Sequence, residues 1–156
     1  MRALQSTLLF RWFDEVWNQG HENVIDELVH PEARIRGLAE AALNQGPAAF
    51  RTFYQQFHNQ FTDIRIDTDI VVSEDDYEVA RCRTRARHRA SGHEVDFTGL
   101  CLVHLKDGQI HEGWNEFDFL TMYQQLGMHL VADDAAAAPV DAPLGDEALA
   151  AAAGPN

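Results

Sequence analysis

Apolar residues recur at helical spacing through the first part of the chain and at strand alternation afterwards. Over residues 3–18, Leu9, Phe13, Val16 and Trp17 fall on one face, which predicts a helix stopped by Gly20. A second short helix is expected over 22–29, carrying Val24, Ile25, Leu28 and Val29 and closed by Pro31, with a strand at 33–38 behind it. Gly46-Pro47 opens a third helix, with proline at the first helical position, where its missing N–H costs nothing. Phe50, Phe53, Tyr54, Phe57 and Phe61 stack along one side of that helix, the most amphipathic segment of the chain.

From Phe61 onward the period drops to two. Residues 63–73, 77–90, 93–105 and 109–117 read as strands joined by turns at 73–76, 91–92 and 106–108, and a closing helix is expected over 119–126 before Gly127. The 77–90 strand is the most informative. Arg81, Arg83, Arg85, Arg87 and Arg89 occupy its odd positions, whereas Ala80, Cys82, Thr84, Ala86 and His88 occupy even ones. Alternation places the arginines on one surface and the small residues on the other, leaving room above the small face for a further layer. The arginines are expected to pair with carboxylates of neighbouring strands or of a second subunit. Helices followed by an antiparallel meander define an α+β fold. The aromatic faces of the first and third helices would pack on one side of a curved sheet, as a cone with an apolar interior. Residues 132–156 are mostly Ala, Pro, Gly and acid without an aromatic residue, so one domain over 1–131 and a flexible tail over 132–156 are expected.

Composition narrows the function. The chain is 46% hydrophobic, as a folded protein is, and carries a net charge of −13. That surface repels phosphate backbones and anionic lipid, so neither nucleic acid nor membrane is an expected partner. No apolar run approaches the ~20 residues that span a bilayer, and charges interrupt the apolar stretch of the N-terminus, so a cytoplasmic protein is expected. Cys82 and Cys101 lie inside strands and read as small buried hydrophobes. Eight histidines raise the question of a metal. No H-x-H, HExxH or CxxC spacing occurs, and adjacent strand residues such as His111 and Glu112 point to opposite faces, so no metal and no cofactor are expected. No G-x-S-x-G elbow is present.

The stretch Asp107-Gly-Gln-Ile-His-Glu-Gly-Trp-Asn-Glu-Phe-Asp-Phe119, with Tyr123-Gln-Gln-Leu-Gly127 after it, resembles the SnoaL-like polyketide cyclases of the nuclear transport factor 2-like superfamily. Phe13-Asp-Glu-Val-Trp-Asn-Gln-Gly20, Ile25-Asp-Glu-Leu-Val-His-Pro31 and Gly46-Pro47 before an aromatic helix extend the resemblance over residues 8–128. It implies a cone of curved antiparallel sheet closed by helices, a homodimer, and a metal-free, cofactor-free aldol-type cyclisation of a small, largely apolar carbonyl compound. Asp118 would be the acid/base, and His104 on the preceding strand would lie near the reacting carbonyl. Trp12, Phe13, Phe53, Phe57, Leu102 and Trp114 are candidate pocket walls, with His30 a polar candidate beside them.

The residues leave alternatives open. If Lys106-Asp107-Gly108 is a three-residue turn, which Gly in third place favours, His104 opposes Ile110 and shares an interior face with Trp114 and Asp118. A two-residue Asp107-Gly108 turn slips the register and separates them. Asp118 immediately precedes a helix, where an N-cap aspartate belongs. His104 can equally be a core histidine satisfied by a carbonyl. The same fold serves non-catalytic ligand-binding or dimerisation domains, ketosteroid isomerase-like enzymes and epoxide hydrolase-like enzymes. The last need an Asp–Arg–Asp cluster around one water, and here the arginines face away from the small-residue surface.

Overall fold

In the computed structural model, which describes residues 3–38 and 45–132, the strands are β1 (Val29–Arg36), β2 (Phe61–Glu74), β3 (Tyr77–His88), β4 (Glu94–Lys106) and β5 (Gln109–Phe117). They form one curved, open sheet in the order β1-β5-β4-β3-β2. β2 to β5 run antiparallel, and β1 joins β5 in parallel as an edge strand. That edge position explains why Pro31 lies within β1 instead of merely ending a helix: an edge strand can lack one ladder N–H. The helices are α1 (Leu8–Arg11), α2 (Val24–Leu28), α3 (Gly46–Gln60) and α4 (Phe119–Gln125), with a 3-10 turn at Leu4–Ser6. Among the described residues, no helix is long and apolar enough to cross a membrane. The tail expected over 132–156 lies outside the described residues, apart from Ala132.

The first helix differs from a plain α-helix. α1 runs into a π-helical stretch, Trp12–Asn18, in which the Gln19 N–H reaches the Asp14 carbonyl at 2.9 Å. Bonding over five residues stacks positions five apart, so Trp12 and Trp17 both turn inward and are buried. The stretch ends on Asn18, whose amide donates to the Ile66 carbonyl and accepts from the Ile66 N–H, both at 2.8 Å. This pair of bonds ties the helix to β2 as a further strand residue would. At the other end, the buried Glu78 of β3 accepts the Leu8 and Leu9 N–H groups, placing a carboxylate on the helix N-terminus.

The small face of β3 is where the layers meet. Ala80, Cys82, Thr84 and Ala86 are all buried, and the helices' aromatic rings fill the room they leave. Trp17 is the hub, with ring centroids 5.9 Å from Phe50, 5.1 Å from Tyr54 and 5.7 Å from Phe57. Gly99 serves the same purpose on β4: a Cβ there would stand 2.3 Å from the Phe117 ring. On the outer face, arginines of β3 pair with carboxylates of β2 and β4: Arg81 with Asp69, Arg83 with Asp96, Arg85 with Asp67 and Arg87 with Glu94. Hydrogen bonds from Arg85 and Arg83 hold Asp67 and Asp96 below the usual carboxylate range. Arg89 instead donates to the His58 carbonyl.

His58 stacks on Trp17 and packs at a tilt against Tyr54, and its Nε2 is buried without a hydrogen-bond partner. Burial, with a smaller push from Arg89, lowers its proton affinity. The stability that goes with neutral His58 is complete above about pH 6.5. It declines as pH falls toward the lowered folded-state value, because the unfolded chain takes up the proton first. The melting temperature should therefore fall between about pH 7 and 5, and His58→Phe should flatten that slope in a pH series of thermal melts. Asp67 and Asp96 should add a second loss below about pH 4.

Candidate functional site

Among the described residues, two small cavities lie in the interior between helices and sheet. One, of about 30 Å³, is walled by the rings of Trp17, Phe53, Phe57, Phe97, Phe117 and Phe119, and closed by Leu38, Ile66 and Thr84. In its present form it has room for little more than a water molecule or two. The other, of about 20 Å³, lies among Leu9, Trp12, Ile35, Phe50, Cys101 and Asn115 and shares Leu38 with the first. Leu38 is thus the wall common to both.

Few polar groups face this interior. Asn115 donates its amide to the Arg36 carbonyl at 3.0 Å, joining β5 to the end of β1. Tyr54 donates to the Val16 carbonyl at 3.2 Å. Cys82 and Cys101 are buried thiols, as their strand positions suggested. Burial pushes the Cys82 thiol up to about 12 and the Cys101 thiol upward as well, so neither is a nucleophile. Thr84 is different. It is 2% exposed, it contributes to the aromatic wall, and its Oγ1 has no hydrogen-bond partner. Among the described residues of this wall, it is the one hydrogen-bonding side chain apart from the Trp17 indole N–H.

The expected Asp118–His104 pair does not form in this interior. Asp107 and Gly108 both have left-handed φ, at 52° and 76°, and make a two-residue turn that pairs Lys106 with Gln109 and Leu105 with Ile110. A bulge then re-phases the strands, so that His104 faces Glu112 and Leu102 faces Trp114. His104, Leu102 and Trp114 therefore do share a face, but it is the outer one. Cys101 and Val103 of β4, opposite Asn115 and Gly113 of β5, take the inner face. His104 stacks on Tyr77 at 4.7 Å, and Trp114 lies under the Arg36 guanidinium. Asp118 is exposed and caps α4, with its carboxylate accepting the Thr121 N–H at 2.9 Å and the Thr121 hydroxyl at 2.7 Å. Those bonds hold its pKa below the usual range, opposite to what a strong base needs. It stands, however, between Phe117 and Phe119, both in the cavity wall.

Of the other expected wall residues, Phe53 and Phe57 line the first cavity and Trp12 the second, whereas Phe13 is buried in the core away from both walls. His30 also lies outside them. Its Nδ1 accepts the Glu32 N–H, and its ring stacks on His111 at 3.9 Å. Burial and the neighbouring His30 lower the proton affinity of His111. Among the described residues, no group of three His, Cys, Asp or Glu side chains converges as metal ligands. A wider open cleft of about 430 Å³ beside Arg85 and Arg87 is lined by charges, but both arginines are already engaged by carboxylates.

Thr84, Phe97, Phe117, Phe119 and Leu38 were not singled out from the sequence as site residues. The signal was present for Thr84, whose hydroxyl stands between Cys82 and Ala86 in the middle of the small face of β3. Removing an unpaired buried hydroxyl should stabilise the protein. Thr84→Val is expected to gain about 1–3 kcal/mol in denaturant unfolding. Asp118→Ala should lower the melting temperature by loss of the cap, and Asp118→Asn should lower it less.

Comparison with known proteins places this geometry. The family model for SnoaL-like polyketide cyclase matches residues 7–126. No curated protein matches the chain. Among solved structures, TsrD from Streptomyces laurentii is similar with a TM-score of 0.71 and 25% identity, covering 81% of this chain and 97% of its own. IdmH, a candidate polyketide cyclase from Streptomyces antibioticus, is similar with a TM-score of 0.65 and 26% identity, covering 73% of this chain and 92% of its own. A candidate polyketide cyclase from Bacillus cereus has a TM-score of 0.69 and 26% identity, covering 78% of this chain and 79% of its own. The curved, open sheet with its helices is thus a known architecture, and the chain belongs to the SnoaL-like polyketide cyclase family.

Proposed function

We propose that the chain is a cytoplasmic cyclase-type enzyme that takes a small, largely apolar carbonyl compound into the interior of the cone. The observation that carries this is the cavity wall of six aromatic rings, continuous with a second cavity wall through Leu38. Such a wall desolvates a hydrocarbon skeleton and limits the shapes it can take. Holding two reacting carbons in contact accounts for a large part of a cyclisation barrier. Proton transfer falls to Asp118 alone, at the edge of the wall, because His104 lies on the other side of the sheet. A carboxylate held ionised is a weak base that is ready at neutral pH, suited to the acidic carbon between two carbonyls and not to a simple ketone. Neutral donors inside the wall would then meet the charge that develops on oxygen.

The test uses a model carbon acid, 2-acetyl-1-tetralone, whose exchange of the proton between its carbonyls for deuterium is followed by NMR. The wild type should catalyse the exchange. Asp118→Asn should lose about 100-fold or more of it while binding the compound as before. Equal exchange rates in the two proteins would remove Asp118 from the chemistry. Leu38→Ala should join the two cavities at a cost of about 2–5 kcal/mol in stability, and should bind larger apolar ligands more tightly by calorimetry.

We also propose that the protein works as a homodimer through the outer face of the sheet. Val72, Val79, Leu102 and Trp114 lie in register across four strands there, and Ile70, Val72, Tyr77 and Leu100 are all exposed. The band adjoins an ion-pair ladder bearing both signs of charge, so a second copy turned about a two-fold axis meets opposite charges. Sedimentation should give a dimer at micromolar concentrations, and Leu102→Glu should give a folded monomer. A monomeric wild type would refute the interface.

A further inference from the structure

Thr84 gives the pocket a chemical preference that aromatic walls alone would not. It sits in the middle of a row across the inner face of the sheet, between Ile66 of β2 and Phe97 of β4, and both neighbours belong to the same cavity wall. Every other side chain of that row is hydrocarbon. Its hydroxyl is buried with no partner, an arrangement that a folded protein seldom keeps without use. The arginines of β3 alternate with it and point to the opposite face, where carboxylates engage them, so no cation of that strand reaches the wall to greet an anionic ligand. Among the described wall residues, nine in all, there is no acidic side chain to receive an ammonium group. What remains is a single hydroxyl on a ring-lined, uncharged surface.

From this we infer that Thr84 is a specificity-determining residue, whose hydroxyl donates to one carbonyl oxygen of a neutral ligand that is otherwise hydrocarbon where it lies inside the wall. This rests on the proposed use of the interior as the substrate pocket and adds the class of ligand it selects. A hydrocarbon of the same shape leaves the hydroxyl unpaired. A ligand with several carbonyls at the buried end brings oxygens that the described wall residues cannot match, since among them only the Trp17 indole offers a further donor. Any additional carbonyls belong at the outer end, near Phe117 and Phe119. The hydroxyl turns about one side-chain bond, so pairing with the ligand requires no movement of β3.

The experiment measures binding of 1-tetralone and of tetralin, its counterpart without the carbonyl, to the wild-type protein, Thr84→Val and Thr84→Ser. Affinity is read from the Leu38 methyl resonances, which report on the wall and not on surface adsorption. The infrared carbonyl stretch of bound 1-tetralone reports on the hydrogen bond itself. The wild type should prefer 1-tetralone by about tenfold or more and lower its carbonyl frequency. Thr84→Val should bind both compounds alike with the frequency shift gone, and Thr84→Ser should retain both effects. A Thr84→Val protein that keeps the preference and the shift overturns the assignment. So does a wild type that binds the two compounds equally, which leaves the pocket standing. A wild type that binds neither compound overturns the pocket and Thr84's role together.

Discussion

The packing of large aromatic rings against a sheet face built from Ala80, Cys82, Thr84 and Ala86 is the constraint from which the rest of the structure follows. Small residues let the helix layer approach closely, and the rings of Trp17, Phe50, Tyr54 and Phe57 bury large apolar areas in the space provided. Rings on both sides of that space would overfill it, and small residues on both sides would leave it empty. The π-helical stretch is part of the same solution. Trp12 and Trp17 are five residues apart, and widening the helix lets both face inward where an α-helix would splay them. Asn18 then fixes the end of the stretch to β2 through two hydrogen bonds. A disturbance of the small face would therefore be felt in helix and pocket together.

Much of this was legible in the sequence for physical reasons. The alternation of β3 is unmistakable because arginine tolerates no place under a ring layer, so the inner face of the sheet was assigned by the strand with the largest polarity contrast. The stacked aromatics of α3, with Pro47 at its start, were equally plain. The orientation of His104 was not. At Leu100-Cys101-Leu102-Val103, β4 is apolar on both faces, because the outer face carries its own apolar band, and periodicity alone cannot say which set points in. The turn and the bulge between Leu105 and Glu112 then shift the register in succession, each by one residue. Neither event leaves a mark in the pattern of hydrophobic residues. Anchoring β4 to β3 would have resolved the ambiguity, since Ala80 opposite Cys101 places Leu102 and His104 outside.

The same two-sidedness separates the functions of the sheet. Its inner face is ring-covered and carries one buried carboxylate, Glu78, at the end bound to α1, whereas its outer face holds the arginine ladder, the apolar band and His104. A residue chosen by motif position alone thus cannot be assigned to the pocket until its face is known. Asp118 shows the corresponding limit at the end of a strand. Beyond Phe117 the alternation stops, the backbone turns into α4, and the requirement of the helix N-terminus for an acceptor determines where the carboxylate points.

Among the described residues, this leaves a pocket wall without charge and with a single unpaired hydroxyl. A general base inside such a wall would be forced neutral by desolvation, and an ion pair there would need partners that the rings displace. Placing the carboxylate at the edge, ionised by Thr121, and a neutral donor within, at Thr84, avoids both costs. Under the proposed function, that division would assign proton removal to the solvent-facing end of a substrate and charge stabilisation to its buried end. The present cavity volume is too small for a whole skeleton, so entry must part the rings, and the ordering of the ligand is coupled to the same aromatic packing that holds the fold together.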